Sequence, residues 1–301
     1  MAWLNRRMWE SLGIGLVGLF VWGGAAWGQP LLLALPPSNL KPGDRSEGSV
    51  NFSCHDRRTL APLNCTVTAK LDPLDPATTT PPFFGGHVAH AARQKVGTVR
   101  DGNTPGAGGE SVTGETLNGF TVVYTAPEAS GQVQFTTTWT APPPYVFLDG
   151  STFIYRFDVG FPLQDLNLVD PFFGVIRDDR VRHPRGTSGT ANTLKRLKDL
   201  AALYYSMTGQ VRRLSINDIS LPQGGLFDII AGADWSPPHE FHRRGTEVDF
   251  NRAPLDQNGN PLPPIDCLQD VVLLEAVEWL ANNTGRPERV CESGGRKHIK
   301  F

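Results

Sequence analysis

Charge is scarce in this sequence, and what there is nearly cancels. Of 301 residues, 28 are Lys or Arg and 30 are Asp or Glu, a formal net charge of -2. Such a chain offers no basic field to a nucleic acid or an anionic membrane, so neither is expected as a partner. Cysteine is scarce as well: there are four, and no two stand at the Cys-x2-Cys spacing of a zinc knuckle. The His-Glu-x-x-His helix of many metalloproteases is also missing. The stretch His-Glu-Phe-His at 239–242 falls one residue short of it and follows Pro237-Pro238, which opposes a continuous helix there. No strand-helix unit repeats, which removes the doubly wound parallel sheet from consideration.

What remains is the composition of a folded, globular chain, 40% hydrophobic. Single domains commonly run to about 100–200 residues, so two are expected here. Residues 1–28 carry a basic start, an apolar run over 12–27 and a small-x-small step at Ala26-Trp27-Gly28. That pattern is a signal peptide cut after Gly28. The run is diluted by glycine and shorter than the roughly 20 residues a bilayer span needs, so no integral membrane segment is expected after cleavage. Arg6-Arg7 leaves the twin-arginine export route open. A secreted or periplasmic location follows, and an oxidising compartment suits disulfides. Four cysteines allow three pairings, of which local spacing favours Cys54 with Cys65 and Cys267 with Cys291. In the first pair, Val50, Phe52 and Cys54 share one strand face, as do Cys65, Val67 and Ala69, so both sulfurs point inward. The second closes a loop worth about 3 kcal/mol on the chain-entropy account and ties the last helix to the segment before the terminal strand.

Residues 38–160 read as short strands. In "GQVQFTTTWTAP", Val133, Phe135, Thr137 and Trp139 alternate with Gln134, Thr136 and Thr138, and "STFIYRFDVG" repeats the pattern with Phe153, Tyr155, Phe157 and Val159. Stretches such as "RDGNTPGAGGE" and "APPPY" break the strands. An all-β sandwich is the simplest container. Residues 161–189 are expected to connect. Over 190–301 the period changes: Leu194, Leu197, Ala201 and Tyr204 mark a helix capped by Ser188 or Thr190 and stopped at Gly209. "VRRLSINDISLP" and "GTEVDFNR" read as strands, "CLQDVVLLEAVEWLANNTG" as a helix with Leu273, Ala276, Val277 and Leu280 in step, and "RKHIKF" as a short last strand. The fold class expected is therefore an N-terminal sandwich followed by an α+β domain with a mostly antiparallel sheet and flanking helices.

A catalytic zinc site takes about three protein ligands and leaves a fourth position to water. His242 and Asp249 supply a local pair, with Gly245 between them to turn the chain, and His298 supplies a distant third. On "TEVDFN", Val248 and Phe250 face one way while Glu247, Asp249 and Asn251 face the other, so Asp249 emerges on the polar side.

Two resemblances sharpen this reading. "GGHVAH" and "TVVYTAPEASGQ" resemble immunoglobulin-like domains that precede enzymes in secreted bacterial proteins; His87 and His90, in a glycine-flanked loop, are read as solvated side chains. "SLPQGGLFD" at 220–228, "HRRGTEVDF" at 242–250 and the terminal "HIKF" resemble the LAS metallopeptidases, which include lysostaphin-type enzymes, D-alanyl-D-alanine peptidases, penicillin-insensitive murein endopeptidases and the hedgehog signalling domain. The family's first motif, His-x6-Asp with glycine three residues after the His, matches His242, Gly245 and Asp249. The later His of its second motif aligns with His298. The resemblance thus implies zinc as cofactor, His242, Asp249 and His298 as ligands, and a peptide or peptidoglycan stem as substrate. The earlier His of that second motif falls on Arg296, and a guanidinium does not release its proton. Arg296 is then expected to stabilise an oxyanion and His239 to accept the proton, with Glu240, Glu247 and Glu292 as the alternative acceptors nearby in sequence. The alternative is a zinc-containing binding module without hydrolysis, holding a peptide or anionic cell-envelope ligand through Arg296 and Arg243-Arg244. A metal-free structural protein is the third reading.

Overall fold

Side-chain alternation organises the first half of the chain. The computed structural model describes residues 30–33, 40–43, 47–73, 95–145, 152–176, 185–226, 242–284, 288–291, 295 and 297–301. Residues 1–28, His87, His90, His239, Glu240, Glu292 and Arg296 lie outside the described residues. Eight strands come first: β1 (Pro30–Leu33), β2 (Glu47–Asp56), β3 (Thr66–Asp72), β4 (Thr98–Asp101), β5 (Ser111–Glu115), β6 (Phe120–Thr125), β7 (Gly131–Thr140) and β8 (Thr152–Val159). They form two four-stranded sheets, ordered β1-β2-β6-β4 and β5-β3-β7-β8, with every pairing antiparallel.

One face of each sheet turns inward. Gly131, Val133, Phe135, Thr137 and Trp139 of β7 are buried in strict alternation, as the sequence pattern required. From the other sheet, Phe52 meets Phe135 at 6.3 Å and the edge of Trp139 at 5.5 Å between ring centroids. These aromatics lie in a single hydrophobic cluster fed by both sheets, the arrangement that makes a sandwich stable. A disulfide joins Cys54 of β2 to Cys65 at the head of β3. The sandwich is therefore stitched across its two sheets as well as packed.

The remaining elements are β9 (Gln164–Asp165), β10 (Phe173–Val175), β11 (Ser188–Gly189), α1 (Ala191–Met207), β12 (Leu214–Ile216), β13 (Glu247–Phe250), α2 (Val271–Thr284), β14 (Glu288–Cys291) and β15 (Lys297–Lys300). A five-stranded sheet runs β10-β12-β13-β15-β14, parallel only between β10 and β12. The protein is thus mostly β-sheet, sandwich-like and largely antiparallel, with two helices among the described residues. Neither helix is long and apolar enough to cross a membrane.

Thr190, not Ser188, caps α1: its hydroxyl accepts from the Thr193 amide at 3.1 Å, while Ser188 donates to Asp165 at 2.5 Å. Leu194, Leu197, Ala201 and Tyr204 of α1 and Leu273, Ala276, Val277 and Leu280 of α2 are buried in a second cluster with Val248, Phe250 and Ile299. Segment 161–189, expected only to connect, also supplies Leu166 and Phe173 to that cluster. The second disulfide links Cys267 to Cys291. It fastens the approach to α2 to β14, the neighbour of β15 in the sheet.

The strand expected over 211–222 is shorter than its apolar pattern. Only Leu214–Ile216 forms β12, because the ladder changes partners just beyond it. The Asn217 amide donates to the Asp249 carbonyl at 2.8 Å and the Asp249 amide donates to the Asp218 carbonyl at 2.8 Å. Two residues thus stand opposite one, a bulge that turns the following chain away from the ladder. Ile219 and Ser220 then bond instead to Gly186 and Ser188. The strand β14 carried no clear alternation and was not expected.

On the helix-facing side of the sheet sits a buried ion pair. Lys297 Nζ lies 2.5 Å from Asp270 Oδ2, with both side chains 3% exposed or less. The Tyr204 hydroxyl reaches the same oxygen at 3.5 Å. Burial and the Asp270 charge together push the Tyr204 phenol above its ordinary pKa. Asp270 also accepts from the Leu273 amide at 3.2 Å, capping α2. One carboxylate thereby joins α1, α2 and β15. Removing its cation leaves an uncompensated buried charge, so Lys297→Met is expected to destabilise the protein by about 3–5 kcal/mol in urea unfolding. Adding Asp270→Asn, which keeps the cap but removes the charge, is expected to recover most of that loss.

Candidate metal centre

The opposite side of the same sheet carries the candidate chemistry. Because successive residues of a strand alternate, Val248 and Phe250 enter the helix-facing cluster while Asp249 emerges on the other face. Asp249 and His298 are direct partners across β13 and β15, and such pairs hold their Cβ atoms about 5 Å apart. Residues 49 positions apart in sequence are in this way brought into contact by register alone. His298 Nδ1 lies 2.6 Å from Asp249 Oδ1.

His242 arrives from the loop just before β13. Its backbone is left-handed, with φ 68°, a conformation uncommon outside glycine. A carboxylate holds it there: the His242 amide donates to Glu247 Oε2 at 2.6 Å. Gly245, at φ 67°, completes the turn; a Cβ on it would come within 2.8 Å of Leu163 and 3.0 Å of Gly189. The Gly245 carbonyl in turn accepts from the Thr190 amide at 3.0 Å. Sequence reading took Glu247 as one of several neighbouring carboxylates; the structure uses it to hold the loop that carries His242.

The imidazole of His242 is oriented from behind. Nδ1 lies 2.7 Å from the Ile219 carbonyl oxygen, which can only accept, so Nδ1 carries a hydrogen and Nε2 is the nitrogen left to give up its proton and bind an ion. Nε2 lies 3.1 Å from Asp249 Oδ2. The two imidazoles meet edge to face, 5.2 Å between centroids at 70°. His242, Asp249 and His298 each offer one ligand atom, and those atoms lie within 4.8 Å of one another.

All three side chains are buried: His242 is 0% exposed, His298 1% and Asp249 7%. Burial opposes the charged carboxylate of Asp249, but hydrogen bonds and charge from His242 and His298 outweigh it and hold the group well below the usual carboxylate range. Burial likewise opposes charge on His242. The hydrogen bond and charge of Asp249, the charge of Asp218 and the Ile219 carbonyl prevail and raise it to about 9. The cluster is therefore electrostatically coupled, with an anion at its centre.

A tetrahedral zinc ion with ligands at about 2.0–2.2 Å spaces its donor atoms about 3.3 Å apart. The 3.1 Å separation of His242 Nε2 and Asp249 Oδ2 already has that spacing. His298 Nδ1 stands 2.6 Å from the other carboxylate oxygen, Oδ1, a hydrogen bond that an ion shared by the three residues would replace. Two imidazole nitrogens and one carboxylate oxygen are a donor set that suits zinc. The residues present fit such an ion.

Of the residues singled out in the sequence, His242, Asp249 and His298 are brought together, while His239 and Arg296 lie outside the described residues. The Ile219 carbonyl and the charge of Asp218 were missed. Neither has a sequence signal, since a backbone carbonyl is present at every residue and the bulge that aims this one is a property of the paired strands. Arg243, considered as a ligand-binding cation, lies beside Glu128 of the sandwich at 3.9 Å.

Comparison with known proteins names no relative. No family model matches the chain, and no curated protein matches it. Among solved structures, a conjugative transposon lipoprotein from Bacteroides eggerthii overlaps with 11% identity and a TM-score of 0.25, covering 42% of this chain and 93% of its own. The bacterial hydrophobin BslA overlaps with 12% identity and a TM-score of 0.23, covering 45% and 96%. The adhesin InvE of Yersinia pseudotuberculosis overlaps with 10% identity and a TM-score of 0.30, covering 90% and 70%. Overlaps this loose carry neither a fold assignment nor a function to this chain.

Proposed function

We propose that the protein is an exported zinc metallopeptidase of LAS type that hydrolyses a peptide bond, with peptidoglycan stem peptides as the substrate class. The convergence of His242, Asp249 and His298 within 4.8 Å carries this reading. It is supported by the tautomer that the Ile219 carbonyl imposes on His242 and by two disulfides that suit an oxidising compartment. In this reading the chain is a bacterial protein whose residues 1–28 direct export. An immunoglobulin-like sandwich over 38–160 is followed by the peptidase domain over 190–301. The sandwich serves presentation or attachment.

Zinc bound by the three residues supplies Lewis acidity, polarising a carbonyl and acidifying water toward a pKa of about 7. The chain's own residues do the rest. Asp249 and His242 set the charge and direction of the donor set, Glu247 keeps the His242 loop in its left-handed turn, and His239 accepts a proton. Arg296 offers charge-assisted hydrogen bonds to a developing oxyanion. The presence of Arg296 where LAS peptidases have a histidine also favours a second reading, a zinc-containing module that binds a peptide or anionic envelope ligand and does not cleave it.

Purified protein is expected to hold one zinc per chain, and His242→Ala, Asp249→Ala and His298→Ala each to lose it, as read by elemental analysis. Metal-free wild-type protein, or full metal content in the His242 variant, would end both zinc readings. Cleavage of muropeptides that stops on adding a chelator supports the peptidase; zinc-loaded protein without turnover across a peptide and muropeptide panel supports the binding module. Glu247→Ala releases the amide that holds His242 and is expected to weaken zinc binding by about 10- to 100-fold in dye competition, as loss of an outer-shell partner does.

A further inference from the structure

The loop that carries His242 is tied to the sandwich by a short chain of main-chain contacts. At the turn between β6 and β7, the buried Ser130 hydroxyl donates to the Gly224 carbonyl at 2.5 Å. The neighbouring residues Ala129 and Gly225 form an antiparallel bridge, with the Leu226 amide donating to the Glu128 carbonyl at 2.9 Å. Gly225 then donates its own amide to the Arg243 carbonyl at 2.8 Å. Arg243 follows His242 directly. From the sandwich turn to the candidate ligand there are three steps: Ser130 to Gly224-Gly225, Gly225 to Arg243, and Arg243 to His242.

The packing at this seam leaves no room for anything but glycine. Gly224 and Gly225 are left-handed, at φ 70° and 82°. A Cβ at Gly224 would lie 2.4 Å from the Arg243 carbonyl oxygen, and one at Gly225 would lie 2.6 Å from the Ser130 amide and 3.0 Å from the Glu128 carbonyl oxygen. Main chain from the sandwich, from 224–225 and from the His242 loop is therefore in direct contact. Ala129 and Leu226, buried together as a small cluster of their own, close the seam. A second tie lies alongside, where the Phe161 amide, just past β8, donates to the Gln223 carbonyl at 2.8 Å.

We infer that the sandwich turn at 128–130 positions the His242 loop through Gly224 and Gly225, so that the N-terminal half is a structural part of the metal centre and not only an attachment module. Ser130, Gly224 and Gly225 are then positioning residues, and the inference rests on reading His242 as a metal ligand. The link runs through the Ser130 hydroxyl on the Gly224 carbonyl and the Gly225 amide on the Arg243 carbonyl; the ion pair of Arg243 with the half-exposed Glu128 is long and screened, and contributes little.

The test uses the full-length chain carrying Ser130→Ala, Ser130→Thr or Glu128→Ala, measured two ways. In chelator-treated protein, amide hydrogen exchange over 242–250 is expected to quicken about ten-fold in Ser130→Ala while α1 keeps its protection. Zinc affinity of the same variant is expected to fall about ten-fold, the visible spectrum of the cobalt-loaded protein changing with it. Ser130→Thr keeps the hydroxyl and restores both; Glu128→Ala leaves both unchanged. Wild-type exchange over 242–250 in Ser130→Ala overturns the inference, as does an equal loss in Glu128→Ala, which would place the link in the ion pair. Should the wild type bind no zinc, the zinc reading fails by itself, and the exchange measurement still decides whether the sandwich holds this loop.

Discussion

Asp249 is the group on which the second half of the molecule turns. An ionised carboxylate removed from water is costly to hold unless it is paired and hydrogen-bonded, and Asp249 has a histidine on each oxygen, His298 on Oδ1 and His242 on Oδ2. Its backbone is engaged as well, receiving from Asn217 and donating to Asp218 across the bulge. One residue thereby sets the register of β13 against β12, faces its partner on β15 and anchors the loop that brings His242. Imidazole and carboxylate are also donor types that a divalent cation takes, which is why the proposed zinc reading rests on this same cluster.

The sheet that holds Asp249 is loaded with polar groups on both faces, and they are kept apart by strand alternation. Lys297 and His298 are adjacent, yet one points to the helices and pairs with Asp270 while the other points to Asp249. A one-residue slip of β15 would exchange them, placing an ammonium at the candidate centre and an imidazole against the helices. The Lys297–Asp270 pair resists that slip, since either charge would be buried alone. The Cys267–Cys291 bridge holds the neighbouring strand β14 and adds to the restraint. Stability of the core and geometry of the centre are thus imposed by the same strand.

Much of this was legible in the residues. The buried faces of β7 and β8, the helix faces of α1 and α2 and the inward direction of Cys54 and Cys65 follow from periods of two and 3.6. The parity of 247–250 placed Asp249 opposite Val248 and Phe250 before any partner was known. The length of β12 was not legible, because an apolar run carries no mark of where its ladder changes partners. The role of Glu247 was hidden for a similar reason: a carboxylate five residues from a histidine has no fixed direction until the turn between them is folded.

By itself, then, the sequence determined which residues face inward, which faces of the two helices are buried, the scarcity of charge, and the identity of three side chains of metal-ligating type. The tertiary structure alone decided that His242, Asp249 and His298 meet, that the Ile219 carbonyl selects the tautomer of His242, and that the sandwich turn touches the loop that carries it. The division has a physical origin. Periodicity is a property of neighbours along the chain, whereas strand register, a bulge and a glycine seam exist only once segments separated by tens of residues share hydrogen bonds.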